Sequence, residues 1–313
     1  MRNADLFATL PTPFRIPGWA ALGVACALVV VPQGARAGTG LAYLEIGAGA
    51  RAIALGNAVV SNVDGPEATY WNPGAVPLLA GTQAELMHTE SFQTIRYEFA
   101  TLTRTFGRHG LGASFHGVWT DNIKSYDEAG TFLGDIGYAG LAVSGTYGLA
   151  VTENLGLGVG VEYIREQIDV ADATGIGFSF GAQARELLPR TDFGASVLHV
   201  GSAMKYESEE FDLPTTMQGG ITHRLPLQTL NGQMLISAEI RKARDTDAQA
   251  LFGTEYRYKE FTRLQVGYQT NHDTQDVSFG VGLGMEHVRG QYAFAPLGDD
   301  LGDQHRFSVQ LAW

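Results

Sequence analysis

Beyond residue 82 the chain repeats one pattern: about ten residues in which large apolar side chains alternate with small or polar ones, then a turn. The clearest instance sets Val277, Phe279, Val281, Leu283 and Met285 against Ser278, Gly280, Gly282, Gly284 and Glu286. Leu155, Leu157, Val159, Val161 and Tyr163 alternate with Gly156, Gly158, Gly160 and Glu162 in the same way. So do Phe252, Thr254, Tyr256 and Tyr258 with Gly253, Glu255 and Arg257. Period two puts alternate side chains on opposite faces of a sheet, so each stretch reads as a strand with one greasy face and one polar face. About fourteen such strands are predicted, an even number as single-chain bacterial barrels need, the first near 83–90 and the last near 304–313.

A water-soluble sandwich and a transmembrane barrel share this binary pattern, because the greasy face of a sandwich is its core. Three features favour the barrel. The strands approach the ~10 residues of a tilted bilayer crossing, against ~5–6 for soluble sheets. Aromatics fall near strand ends, as at Trp119, Tyr163, Tyr258 and Tyr292, where interfacial girdles sit. The final strand, Phe307-Ser308-Val309-Gln310-Leu311-Ala312-Trp313, puts Phe307, Val309, Leu311 and Trp313 on one face. That is the expected form of a barrel-closing strand, and an aromatic-terminated strand resembles the signal that bacterial barrel-assembly machinery recognises. Short connections such as 107–110 and 152–154 alternate with longer polar ones at 121–137, 202–215 and 297–304, the long ones expected outside the cell.

The first 37 residues change the picture of where the chain travels. Arg2 and Arg15, an apolar run from Trp19 to Val31 and Ala35-Arg36-Ala37 read as a cleaved signal peptide over 1–37. The only cysteine, Cys26, lies within that leader and lacks a lipoprotein context, so the mature chain has no thiol for disulfides, metals or catalysis. The full chain carries 21 basic and 33 acidic residues; without the leader's three Arg and one Asp the balance is about −14. Nucleic acid is excluded as a partner for such a surface. No apolar stretch past the leader approaches the ~20 residues of a membrane helix. The 40 glycines among 313 residues exceed the usual ~7% and suit many strands and turns.

Residues 38–82 break the alternation. Glu45 to Ala58 is rich in small residues, and Asp64-Gly65-Pro66-Glu67-Ala68-Thr69-Tyr70-Trp71-Asn72-Pro73-Gly74-Ala75 follows. Pro66 and Pro73 deny donors to a ladder and break helices. A compact segment of this kind ahead of a barrel (83–313) is expected to sit inside it as a plug. The runs GARAIALGNA and YWNPGA resemble the N-terminal signature of the PorV/PorQ family of outer-membrane proteins, relatives of the FadL-type fatty-acid transporters. Asn72-Pro73-Gly74 is similar to the Asn-Pro-Ala of the FadL hatch, with glycine in place of alanine, and Tyr292 to Gly298 with His305-Arg306-Phe307 adds to the likeness. The resemblance implies an all-β FadL-like barrel of fourteen strands with a hatch motif at Asp64, Trp71, Asn72, Pro73 and Gly74. It implies a part in type IX protein secretion, with cargo proteins and other secretion components as partners. The alternative it carries is a transporter of hydrophobic small molecules across the outer membrane.

Candidate chemistry is sparse, and the chain reads as non-enzymatic, with no cofactor or metal. The glycines of Gly156 to Gly160 alternate within a strand instead of opening a helix, so they form no phosphate loop and leave room in the lumen or let the plug approach. Ser114 and His116 share a strand face but lie roughly 7 Å apart along the backbone, with no third orienting acid. Asp299, Asp300 and Asp303, or Asp121, Asp127 and Asp135, could ligate calcium; a solvated acidic loop explains them more simply. Glu162, Arg165, Glu239, Arg241, Glu255, Arg257 and Glu286 are expected in the lumen, paired with one another or with the plug. An export partner would need an apolar patch on the outer loops, at Phe132-Leu133 or Phe211–Leu213.

Overall fold

The computed structural model describes residues 41–313 apart from 91–94, 128, 170, 207–208, 228–230, 245, 260, 272–274 and 299–301, so the leader expected over 1–37 lies outside the described residues. Among the described residues sixteen strands follow an N-terminal segment: β1 Thr82–Glu90, β2 Arg96–Phe106, β3 His109–Tyr126, β4 Phe132–Ala150, β5 Leu155–Ile168, β6 Ala171–Leu188, β7 Thr191–Gly201 and β8 Met204–Tyr206. Then come β9 Glu209–Phe211, β10 Thr216–Leu227, β11 Gly232–Ala243, β12 Gln249–Tyr258, β13 Thr262–Gln269, β14 Val277–Met285, β15 Val288–Pro296 and β16 Asp303–Ala312. Fourteen of them form a closed antiparallel barrel, and β8 and β9 make a separate hairpin between β7 and β10. Closure is between β1 and β16, with Leu86 opposite Val309. Trp313 extends the seam, exchanging backbone hydrogen bonds with Thr82 at 2.9 and 3.0 Å. A closed ring satisfies every ladder donor without an edge, which is what a bilayer demands of a sheet.

The side-chain faces decide between sandwich and barrel. On β16, Phe307, Val309 and Leu311 point outward and exposed, while Arg306, Ser308 and Gln310 are buried. On β13, Leu264, Val266 and Tyr268 are exposed, while Arg263, Gln265 and Gln269 are buried. The greasy face is therefore the outer one. In water this surface would be untenable; in lipid it is the expected one. The sandwich is excluded, and the barrel expected from the alternation is the fold observed.

Three local features depart from the expectation. The 121–137 stretch is mostly strand, because β3 and β4 continue as a hairpin to Tyr126 and Phe132, past a register shift between Thr120 and Ile123. A strand beyond the lipid band has water on both faces and loses its greasy alternation, so it reads as loop. The 202–215 connection holds the β8–β9 hairpin. β7 carries a bulge: Phe178 pairs with Val200 and Phe180 with Val197, and His199 adopts a φ of 56°. The bulge turns both Leu198 and His199 inward, which strict alternation forbids.

The barrel has two unlike ends. One carries the short connections, such as 107–108, 189–190 and 286–287, together with the β1–β16 seam terminus at Thr82 and Trp313. The other carries the longer ones, including β8–β9. The segment before β1 packs against inward-facing side chains of strands around the ring. It comprises a 3-10 turn at Ala42–Glu45, α1 Ala50–Ala54, α2 Ala68–Trp71 and a second 3-10 turn at Pro73–Leu78. Almost all of its residues from Leu41 to Leu79 are buried.

Candidate functional site

The site is the contact between this inner segment and the inward face of the strands. At its centre lies Asn72, fully buried. Its side-chain oxygen accepts from the Gly74 N–H at 3.0 Å, capping the turn that Pro73 begins. Its amide nitrogen lies within donating distance of the Val60 carbonyl (2.9 Å), the Ala182 carbonyl (3.0 Å) and Gln183 Oε1 (3.1 Å). One side chain thus ties two turns of the segment to β6. Pro73 and Gly74 then lie on a floor of glycine: a Cβ on Gly158 would collide with the Pro73 carbonyl, and one on Gly156 with the Gly74 carbonyl. The inward glycines of β5 are there because backbone meets backbone. Trp71, next in chain, donates its indole N–H to the Ala48 carbonyl at 2.7 Å and so fastens α2 to the segment's start.

Charged groups fix the segment at two places. Arg306, buried on β16, donates to the Ile46 and Gly47 carbonyls, both at 2.9 Å, and lies over the Tyr97 ring. Its inward position follows from strand parity, since Phe307 faces out. At the short-connection end, Asp64 receives Arg263 at 3.0 Å, Arg257 at 2.8 Å and Arg51 at 3.5 Å. Arg51 also reaches Glu255 at 2.8 Å, both side chains buried. Burial works against ionising Asp64, but the Arg263, Arg51 and Arg257 guanidinium groups outweigh it and hold its carboxyl well below the ordinary aspartate range. Between these clamps Glu239 accepts from the Val60 and Ser61 N–H groups, both at 3.0 Å, and from the Ser61 hydroxyl at 2.7 Å.

Toward the long-connection end the inward face of one wall turns apolar. Met87, Tyr97, Phe99, Val118, Ala142, Ile164 and Ala173, on β1 to β6, form one cluster with Leu41, Tyr43 and Leu44 of the inner segment. The β8–β9 hairpin contributes Met204 and Phe211 to the same cluster, with Leu213 following. It is tied down where Glu166 accepts from Tyr206 (2.9 Å) and from Tyr138 of β4 (2.6 Å).

Several expected residues are elsewhere. Phe211 and Leu213 are buried, so they are no docking patch: the hairpin folds them onto the barrel's own apolar cluster. Phe132 is exposed against Tyr126 at the β3–β4 tip. Arg165 faces outward to Asp172, because the even positions of β5 point in, and Glu286 sits in a two-residue turn. Ser114 and His116 do both face in, yet Ser114 bonds Ser144 at 2.7 Å and His116 sits among Tyr43, Tyr70 and Phe99. They line a small polar cavity with Glu162 and His199, themselves paired at 2.7 Å. His199 gave no signal in the sequence, since the bulge that aims it has none. Asp127 accepts from the Ala129 and Thr131 N–H groups of its own turn, at 3.0 and 2.7 Å. Asp299 and Asp300 lie outside the described residues, and among the described residues no three His, Cys, Asp or Glu side chains gather as a metal site.

Solved structures share this architecture. The Ralstonia pickettii toluene transporter TbuX superposes with a TM-score of 0.64 at 16% identity, over 85% of this chain and 98% of its own. The Pseudomonas putida toluene transporter TodX gives 0.64 at 14% identity, over 84% and 97%. A Pseudomonas aeruginosa FadL homologue gives 0.52 at 11% identity, over 83% and 97%. The fold is that of the FadL-like barrels. No protein-family profile matches the sequence, and no curated protein matches it. The FadL-like likeness is therefore one of backbone, and the PorV/PorQ resemblance stands on the N-terminal and C-terminal motifs alone.

Proposed function

We propose that the chain is a plugged outer-membrane barrel that passes hydrophobic small molecules, with residues 41–80 as the plug. The supporting observation is the apolar wall on β1 to β6, where a water-filled pore would present polar side chains. The long-connection end faces outside. A solute arriving there meets greasy and aromatic side chains, and it replaces contacts that Leu41, Leu44 and the β8–β9 hairpin make in this structure. The plug closes the path below, through Asn72 and the arginine clamp. The fold shared with toluene transporters makes a monoaromatic hydrocarbon the first solute to try, and the resemblance to FadL-type fatty-acid transporters makes a long-chain fatty acid the second. Phe307, Val309, Leu311 and Trp313 face lipid and present the stripe that the assembly machinery would read.

The export reading has less support. Of its two expected loop patches, one keeps Phe132 exposed, while the other is lost because Phe211 and Leu213 are buried. One deletion strain separates the two. Radiolabelled toluene and oleate uptake and the surface content of exported proteins are measured with and without the gene, and after complementation. Uptake lost and restored, with surface proteins unchanged, is expected. Unchanged uptake with depleted surface proteins would overturn the transport reading in favour of export.

A further inference from the structure

The inward face at the short-connection end holds a cavity of about 540 Å³, lined by Arg257, Arg263 and Lys259 together with the polar Asn231 and Gln233. Asn231 and Lys259 belong to the turns that follow β10 and β12, so the cavity lies at the barrel's mouth. It adjoins the Asp64 clamp, and its charges do not balance. Among the described residues Arg51, Arg257 and Arg263 are ion-paired to two carboxylates, Asp64 and Glu255; Glu67, Arg185 and Arg289 also act on this cluster, and Lys259 lines the wall with its ammonium over the Tyr258 ring. A cationic surplus here stands out in a chain of net charge −12. Arg257 Nη2 is ion-paired to Asp64 Oδ2 at 2.8 Å, so an oxyanion that engages Arg257 must displace this contact.

A guanidinium presents a planar fork that suits two oxygens of one oxyanion. Asp64, divided among three guanidinium groups, does not offer that to any of them. We propose that this mouth is a binding site for a soluble oxyanion, held by Arg257, Arg263 and Lys259 in competition with Asp64. The cavity is on the inward face of β10 to β13, whereas lipid covers the outward face, so the ligand comes from the aqueous compartment at that end and not from a lipid headgroup. Binding would also draw Arg257 and Arg263 away from the inner segment and loosen the turn around Asp64. The site goes beyond the hydrophobic-solute reading and does not depend on it, since its test measures binding without transport.

The probe is inorganic phosphate, titrated calorimetrically into the purified full barrel in neutral detergent, with sodium chloride holding ionic strength constant. Saturable binding is expected. Asp64→Asn removes the competing carboxylate and should tighten it roughly tenfold, the factor that ~1.4 kcal/mol represents. Arg263→Gln should abolish it. Lys259→Gln, in a turn outside the clamp, should weaken it while leaving the fold intact, which guards against a clamp variant that fails to fold. Hydrogen exchange over residues 60–68 should quicken when phosphate is present. No saturable binding by either the unaltered chain or Asp64→Asn overturns the proposal, as does binding that Lys259→Gln and Arg263→Gln leave unchanged.

Discussion

A single buried amide, Asn72, ties Val60 and the turn at Pro73 to the barrel, and its chemistry leaves no room for the closest isostere. Asn72→Asp would set a carboxylate against the Val60 and Ala182 carbonyls and Gln183 Oε1, three acceptors with nothing to give. The expected cost is about 3 kcal/mol, read as a lower urea midpoint for the barrel and as faster hydrogen exchange over residues 55–80. Equal exchange in the two proteins would show that Asn72 does not hold the segment. Asp64 allows a test by pH. Its carboxyl is depressed in the folded chain, so its stabilisation is fully present above the ordinary aspartate value of 3.8 and is lost only as pH falls through the depressed folded value. The share of the protection of residues 60–68 that Asp64 supplies should therefore persist from neutral pH down to about 3.8 and decline progressively below it. Asp64→Asn should already lack that contribution at neutral pH. These residues were only partly legible in the sequence. Asn72-Pro73-Gly74 stood out as a motif, and the Gly156–Gly160 alternation suggested close approach. Arg51 and Arg306 stood within quoted motifs, GARAIALGNA and His305-Arg306-Phe307, but their partners were not legible, because an arginine between small residues or on a strand says nothing of the groups it will meet.

At the scale of elements, the strands were the most legible part of the chain, since a lipid-facing side chain every second residue is a strong periodic signal. It faded where its cause did. β3 and β4 run on past the lipid, and β7 shifts face at its bulge. The inner segment was recognisable only by failing the pattern, and how it lies could not be read from composition, because its contacts are to strands up to 260 residues away. The polar composition of 202–215 predicts an outer loop with a docking patch; the β8–β9 hairpin stands there instead, and its apolar residues finish the cluster at that end. On the proposed transport reading, that placement makes it the gate. Tyr206→Phe removes the hydroxyl that reaches Glu166, and should speed exchange over residues 202–215 and raise hydrophobic uptake by roughly two- to fivefold, the effect of ~0.5–1 kcal/mol. Slower uptake would mean that the hairpin forms part of the binding surface instead of covering it.

For the molecule as a whole, the two faces of one sheet have opposite solvents. The outer face is apolar because its solvent is lipid. The inner face is polar over most of its height because it is bonded to a folded segment of the same chain, and apolar on one wall near the long connections. On the proposed reading, residues 41–80 close the lumen, so the barrel should pass small hydrophobes slowly and ions hardly at all. Planar-bilayer recording tests this most directly, comparing the barrel bearing residues 41–80 with one in which they are deleted and whose heat-modifiable migration shows that it has folded. The intact barrel is expected to give no stable conductance steps, and the deleted one to give steady, ion-conducting steps. Equal conductance from the two would contradict the account, because residues 41–80 would then not be what closes the lumen.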